Sequence, residues 1–256
     1  MRSTRSFLLA FLEQAWLPVL LVVIWWFASE GNTNPFFPPL SKIWDSFVTE
    51  MSSGQMELHL WASTRNILIG LAVGVVVGVV GGTVIGLSRR LRAVLNPYLQ
   101  FFRTLPQVAI IPIIIGAFGI TAVPKIWAIG FACIWPVLLN TVDGIRAIDP
   151  GVRDMVDAYR ITTWRSIFRV VLPGALPQIM AGIRISLSVA VVLMVVSEIY
   201  AATEGVGYFI HITTGLFQTD KTWMGTLLVG LMGYLLSVIF LLIEKRALRW
   251  YHESAS

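Results

Sequence analysis

Long blocks with few or no charged residues alternate with short polar or basic segments along the whole chain. A helix needs about 20 residues to cross the ~30 Å hydrocarbon core of a bilayer. Six blocks read as such spans: 14–29, 66–88, 104–124, 126–142, 173–200 and 222–243. The first is short and borrows Phe7 to Leu12 at its start. The third carries Pro106, Pro112 and Gly119, which predicts a kinked or broken helix. Membranes tolerate that geometry where neighbouring helices or a wet cavity satisfy the freed backbone groups. An even number of spans puts both ends of the chain on one side.

Composition narrows the solvent. Of 256 residues, 56% are hydrophobic and 13% charged, against roughly a quarter charged in a soluble domain. The formal charge of +5 does not indicate a nucleic-acid partner, because Lys and Arg cluster at the ends of apolar blocks and form no groove-binding stripe. Thirteen of them fall in one set of loops, from Arg2 and Arg5 to Lys245, Arg246 and Arg249, and only Lys42, Lys125 and Lys221 in the other. That asymmetry predicts cytoplasmic termini, a cytoplasmic segment over 143–172 and an outward segment over 30–57. Arg2 and Arg5 ahead of an apolar stretch also begin a signal peptide, but no small-x-small site follows Trp25-Trp26-Phe27, so the first helix is read as uncleaved.

Within the second span, Gly70, Gly74, Gly78, Gly82 and Gly86 recur every four residues. Four helical residues advance about 400°, so these positions wind slowly along one face where another helix backbone can come close. Cys133, inside an apolar block, reads as inert packing. His59, His211 and His252 are far apart and sit near predicted helix ends, which fits interfacial roles and no metal site.

The segment from Asp154 to Pro177 is more specific. Ile161, Trp164, Ile167, Phe168 and Val171 recur at spacings of one, three and four, with Arg160, Arg165 and Arg169 between them. This predicts a short amphipathic helix, suited either to lipid headgroups or to a cytoplasmic partner. The segment resembles the EAA loop of bacterial ABC importer permeases, in which Glu-Ala-Ala and a Gly precede a closing Leu-Pro. With that closing pair on Leu172-Pro173, Asp154 stands at the motif's Glu and Arg160 at its Gly, both departures. Four further stretches resemble the nitrate, sulfonate, taurine and bicarbonate branch: Phe37-Pro38-Pro39-Leu40-Ser41, Leu105 to Pro112, Asn140-Thr141 with Gly144-Ile145, and Glu198 followed by Gly205-Val206-Gly207-Tyr208.

The resemblance implies one permease domain over 1–256 with the type I importer fold, in a bacterial inner membrane. It implies a homodimer, two separate ATPase subunits that use ATP and Mg, and an extracytoplasmic solute-binding protein. The coupling contact would comprise Asp154, Asp157, Arg160, Thr163, Trp164 and Arg165, with Leu172 and Pro173 turning the chain back into the membrane. The cargo would be a small organic or inorganic anion. Independently, the four lysines follow Ser41, Pro124, Asp220 and Glu244, so no Gly-Lys dipeptide exists to build a P-loop. The chain is therefore expected to bind no nucleotide cofactor itself.

Two charges lie at membrane depth, Arg184 and Glu198. They stand about 21 Å apart along one helix and cannot pair. Arg184 either lines the pathway and attracts an anion or is neutralised by helix-end carbonyls; with Pro106, Pro112 and Glu198 it forms the candidate pathway set. For Glu198 a structural hydrogen-bonding role is favoured. A secondary transporter or channel would offer inverted repeats or more intramembrane acids, and an intramembrane enzyme a nucleophile with a His base or a metal motif. Neither pattern is evident.

Overall fold

Two helices of different character open the chain. In the computed structural model, which describes residues 4–31, 34–119, 121–200 and 202–254, α1 (Thr4–Ser29) is apolar from Trp16 onward. Arg2 and the side chains of Arg5, Arg153 and His252 lie outside the described residues. Helix α2 (Leu40–Ser52) is amphipathic and buries Ile43 and Ser46. Then come α3 (Gln55–Leu87), α4 (Arg89–Thr104), a 3-10 turn over Gln107–Ile110, α5 (Ile111–Phe118) and α6 (Ala122–Arg146). The second half holds α7 (Pro150–Ala158), α8 (Thr163–Ser166), a π turn over Ile167–Val171, α9 (Leu172–Tyr200), α10 (Val206–Gly215), α11 (Thr219–Ala247) and α12 (Arg249–Ser254). No strand occurs among the described residues.

Among the described residues, four helices are long and apolar enough to cross a membrane: α3, α6, the continuous run Thr163–Tyr200, and α11. Helix α4 and the segment Gln107–Phe118 meet the same test only as a pair, bent by 81°. The apolar part of α1, Trp16–Ser29, is shorter. Among the described residues, length and apolarity thus give four crossings, or five with the bent pair counted as one.

The predicted third span is replaced by two breaks. Leu105 is forced extended ahead of Pro106 and ends α4. Gly119, at φ +79°, ends α5, and Thr121 is extended again before α6. Pro112 is harmless in the first turn of α5, where its missing N–H has no helical partner. The residues before the expected span, read as a basic loop, form the amphipathic α4, capped by the Ser88 hydroxyl, which accepts from the Leu91 amide at 3.2 Å.

The every-fourth-residue glycines of α3 meet a strip of the same period on α6. A Cβ on Gly70 would stand 2.6 Å from Ile129, one on Gly78 2.7 Å from Val137, and one on Gly82 2.6 Å from Thr141. Gly74 faces Cys133 and Gly86 faces Ile145 in the same progression. Both numberings rise together, so α3 and α6 run parallel. The chain leaves α3 at one end and enters α6 at the other, so residues 88–121 must travel the length of the bundle. The bent pair is therefore a broken crossing and not a loop that returns to its own side.

Helix α9 packs antiparallel on the same α6: Gly144 lies against Ala175 and Gln178, and Gly182 against Pro136 and Asn140. Ser186 Oγ donates to the Cys133 carbonyl at 2.9 Å, and the Cys133 thiol donates back to the Ser186 carbonyl at 3.4 Å. A buried cluster through Ile67, Ile129, Cys133, Leu193, Met194 and Met232 joins α3, α6, α9 and α11.

Gly78→Ala is expected to destabilise the purified protein by about 1–3 kcal/mol, the usual cost of overpacking. Gly230→Ala in α11, whose added Cβ would meet nothing within 4 Å, is expected to be neutral or mildly stabilising. Thermal midpoints of the two variants in one detergent or nanodisc check the contrast.

Candidate functional site

The segment between α6 and α9 protrudes from the end of the bundle as two short helices and a tight turn. Asp149 caps α7 by accepting from the Gly151 amide at 2.6 Å, and Pro150 occupies the first turn. The Ile161 amide donates to the Val156 carbonyl and the Arg160 amide to the Asp157 carbonyl, both at 3.0 Å. This is the Schellman arrangement, which needs a left-handed residue at the Arg160 position. Arg160 adopts it, at φ +49°. The motif's Gly position is thus a real conformational requirement, met here by a residue with a Cβ.

Asp154, Asp157, Arg160, Thr163, Trp164 and Arg165 are all exposed. Trp164 is 71% exposed and packs at a tilt against Phe168 with ring centroids 4.4 Å apart, while Met155 and Tyr159 are exposed nearby in sequence. Large apolar side chains gathered at one end of a bundle mark an interaction surface.

The expected turn at Leu172-Pro173 does not exist. Helix continues from Thr163 to Tyr200, and the chain reverses earlier, at Tyr159–Thr162. Pro173 has no N–H for the Arg169 carbonyl and its ring would crowd it; the π turn just before widens the helix there. Helix α7, which supplies Asp154 and Asp157, lay outside the predicted amphipathic stretch, although Asp149-Pro150-Gly151 is a start signal in the sequence.

A groove of about 690 Å³ opens between α4, the 3-10 turn, α6 and α9. Its polar lining comprises Arg103, Gln107, Asn140, Asp143 and Ser188, with Trp135 on one wall. Trp135 stacks flat on Phe102 at 4.7 Å. Polar groups at membrane depth face water or protein, so the open side of this groove suits a wet path or a second subunit better than lipid.

The predicted pathway residues fall elsewhere. Pro106 makes the break beside groove residues Leu105 and Gln107, and Pro112 sits in α5. Arg184 pairs with Glu244 of α11, a carboxylate sixty residues away in place of helix-end carbonyls. Glu198 is buried and accepts from Ser63 and the Gly207 amide, away from the groove. The groove residues were missed, yet Asn140 and Ser188, polar within apolar blocks, were the available signal.

The family described as "Binding-protein-dependent transport system inner membrane component" matches residues 70–249, most of the chain. The protein belongs to that family. This permease is 36% identical over 241 residues to an Escherichia coli protein named as the aliphatic sulfonates transport permease SsuC, covering 92% of each chain. It is 29% identical to the E. coli taurine transport permease TauC, over 93% of this chain and 88% of that one. The bicarbonate transport permease CmpB of Synechococcus elongatus is 26% identical over 89% and 86%. In fold, the permease resembles a chain of the inward-facing MetNI methionine ABC transporter, with TM-score 0.63 at 17% identity, covering 77% of this chain and 98% of that one. It also resembles a chain of an amino acid ABC transporter solved with histidines, with TM-score 0.61 at 15% identity over 79% and 97%. The architecture is therefore the transmembrane domain of a type I ABC importer, a multi-pass membrane protein.

Arg160→Gly is expected to raise permease stability by about 0.5–1 kcal/mol, since glycine adopts the left-handed conformation without steric cost. Thermal unfolding of the variant beside the parent measures it.

Proposed function

We propose that the chain forms the translocation pathway of an ATP-driven importer for a small anion of the sulfonate, taurine or bicarbonate kind named for its relatives. It works as a homodimer with six crossings per copy and both termini in the cytoplasm of a bacterial inner membrane. Each copy presents α7, the Arg160 turn and α8 to a separate ATPase subunit, which handles ATP and Mg. An extracytoplasmic solute-binding protein delivers the cargo.

The observation that supports this reading best is the continuity of one helix from the protruding Trp164 to the groove wall at Ser188 and Val192. That is a rod of roughly 36–42 Å. A push at its cytoplasmic end moves the groove wall as a rigid body, the kind of lever by which nucleotide-driven closure is passed into a membrane domain. Beside the Asp143 carboxylate, which Arg146 pairs at 3.5 Å, the groove offers a guanidinium, two side-chain amides and a hydroxyl, donors suited to an oxyanion.

Trp164→Ala is expected to lower both substrate uptake and binding-protein-stimulated ATP hydrolysis of the reconstituted complex at least fivefold, with normal membrane insertion. Removing a large exposed aromatic anchor from an interface typically costs more than 1 kcal/mol. Unchanged transport would exclude this segment as the coupling contact. Arg103→Gln is expected to slow anion uptake about tenfold, the loss of a charge-assisted hydrogen bond, while ATPase stimulation persists. Equal uptake by parent and variant would remove Arg103 from the pathway.

A further inference from the structure

Three arginines meet where the apolar spans end. Gly86 faces Ile145, so α3 and α6 finish at the same level, and Gly144 against Ala175 sets the start of α9 beside them. A cavity of about 490 Å³ opens at this end of the bundle. Arg89 and Arg92 of α4 and Arg146, the last residue of α6, line it together with Asp149, Pro150 and Asp154 from the start of α7. Neither the groove nor the proposed coupling contact uses these arginines.

Their charge is poorly compensated. Helix α4 opens with Arg89, Arg90 and Arg92 and has no acidic residue in its first turn. Among the described residues, Arg89 and Arg92 form no ion pair, and Arg146 has only Asp143, at 3.5 Å with both side chains mostly exposed. Of the two carboxylates on the cavity wall, Asp149 accepts from the Gly151 amide at 2.6 Å, and neither it nor Asp154 pairs with an arginine. Like charges held on one concave wall repel, and an anion that enters between them relieves the repulsion. The guanidinium fork matches two oxygens of a phosphate, which makes arginine the residue suited to that anion.

The surroundings indicate where the phosphate comes from. Helix α4 packs Leu91, Leu95 and Leu99 on the bundle, yet Val94, Tyr98 and Phe101, spaced four and three apart on another face, are exposed. A helix with apolar side chains on its outer face as well as its inner one suits hydrocarbon and not water. Helix α4 therefore leads from the cavity into the acyl region. The cavity lies at headgroup level, where the spans α3 and α6 give way to charged residues.

We propose that Arg89, Arg92 and Arg146 bind the phosphate of an anionic lipid. Seated there, the headgroup joins the start of α4 to the end of α6 and the start of α7, and so braces the segment that carries Asp154 and Asp157. Basic pockets between membrane helices are suited to such headgroups. Placement in the inner leaflet rests on the orientation proposed above; the binding itself does not depend on it.

The test is retention of phosphatidylglycerol by the purified transporter complex, read by native mass spectrometry beside phosphatidylcholine. The parent is expected to hold a phosphatidylglycerol on each permease copy under conditions that strip phosphatidylcholine. The double variant Arg89→Gln/Arg92→Gln is expected to bind it about tenfold more weakly, having lost two cations at the phosphate. Arg90→Gln removes the same kind of charge from outside the cavity lining and is expected to bind as the parent does. Equal binding by parent and double variant, equal retention of phosphatidylcholine, or a loss as large in Arg90→Gln would overturn the site. Displacement of the lipid by millimolar inorganic phosphate would reassign the cavity to a soluble oxyanion. Release of the ATPase subunits from the double variant with lipid binding intact would reassign it to a protein contact, and either result ends the lipid assignment. Where the double variant does not assemble, Arg92→Gln alone decides, with about threefold weaker binding expected and unchanged binding overturning the site. The measurement needs no transport, so failure of the coupling contact at Trp164 leaves its outcome unaffected.

Discussion

The close approach of α3 and α6 is the constraint on which the rest of the molecule depends. In a bilayer two apolar helices gain little by hiding from lipid, so their association rests on dispersion contacts, which need backbones close together. Five glycines in register with Ile129, Cys133, Val137, Thr141 and Ile145 supply that closeness over more than four turns. The pairing is parallel, and parallel neighbours oblige the chain to return between them. The return is made by α4, the 3-10 turn and α5, and the breaks in it expose the polar edge that becomes the groove. The groove is thus a consequence of the packing and not an addition to it.

Helix α9 ties this core to the protruding segment. It is held to α6 by Gly144 and Gly182 and by the reciprocal pair between Cys133 and Ser186. It is also held to α11 by Arg184 and Glu244. The Arg184 pair illustrates how a charge at membrane depth is made tolerable: the compensating carboxylate is itself buried, so the two belong together energetically. With its middle clamped on two sides, α9 has little freedom to bend. On the proposed function, a displacement at Trp164 would be passed along its axis.

Much of this was legible in the residues, and the limits have physical causes. Glycine spacing predicted the α3 face because period four on a helix is a local property. It could not name α6 as partner, since that match depends on register between segments about sixty residues apart. Pro106 and Gly119 announced breaks, but the size of the bend follows from tertiary packing. The missed helix α4 reads as a loop because its three leading arginines mask an amphipathic pattern that a hydropathy scan for spans does not seek. Arg160 was read as a departure from a glycine position; the backbone there remains left-handed, so the conformation outlasts the residue that best suits it. The partner of Arg184 is beyond reach for the same reason as that of the glycines: in sequence, Glu244 belongs to a charged triplet that closes the last span, sixty residues away.

Rigid and loose parts of the bundle divide along these lines, and the division bears on how a pathway can open. Helices α3, α6 and α9 share glycine contacts, side-chain to carbonyl hydrogen bonds and the buried polar cluster around Glu198. The segment Gln107–Phe118 is flanked by a break at each end, Leu105-Pro106 before it and Gly119 after it, and α5 spans only eight residues. A conformational change concentrates where backbone hydrogen bonding is already interrupted, because rotation there sacrifices no ladder. On the proposed function, opening would fall to the segment carrying Arg103 and Gln107, against the wall of Asn140 and Ser188. Both walls of the groove carry hydrogen-bonding side chains, so a polar cargo of the proposed kind would find partners on either one.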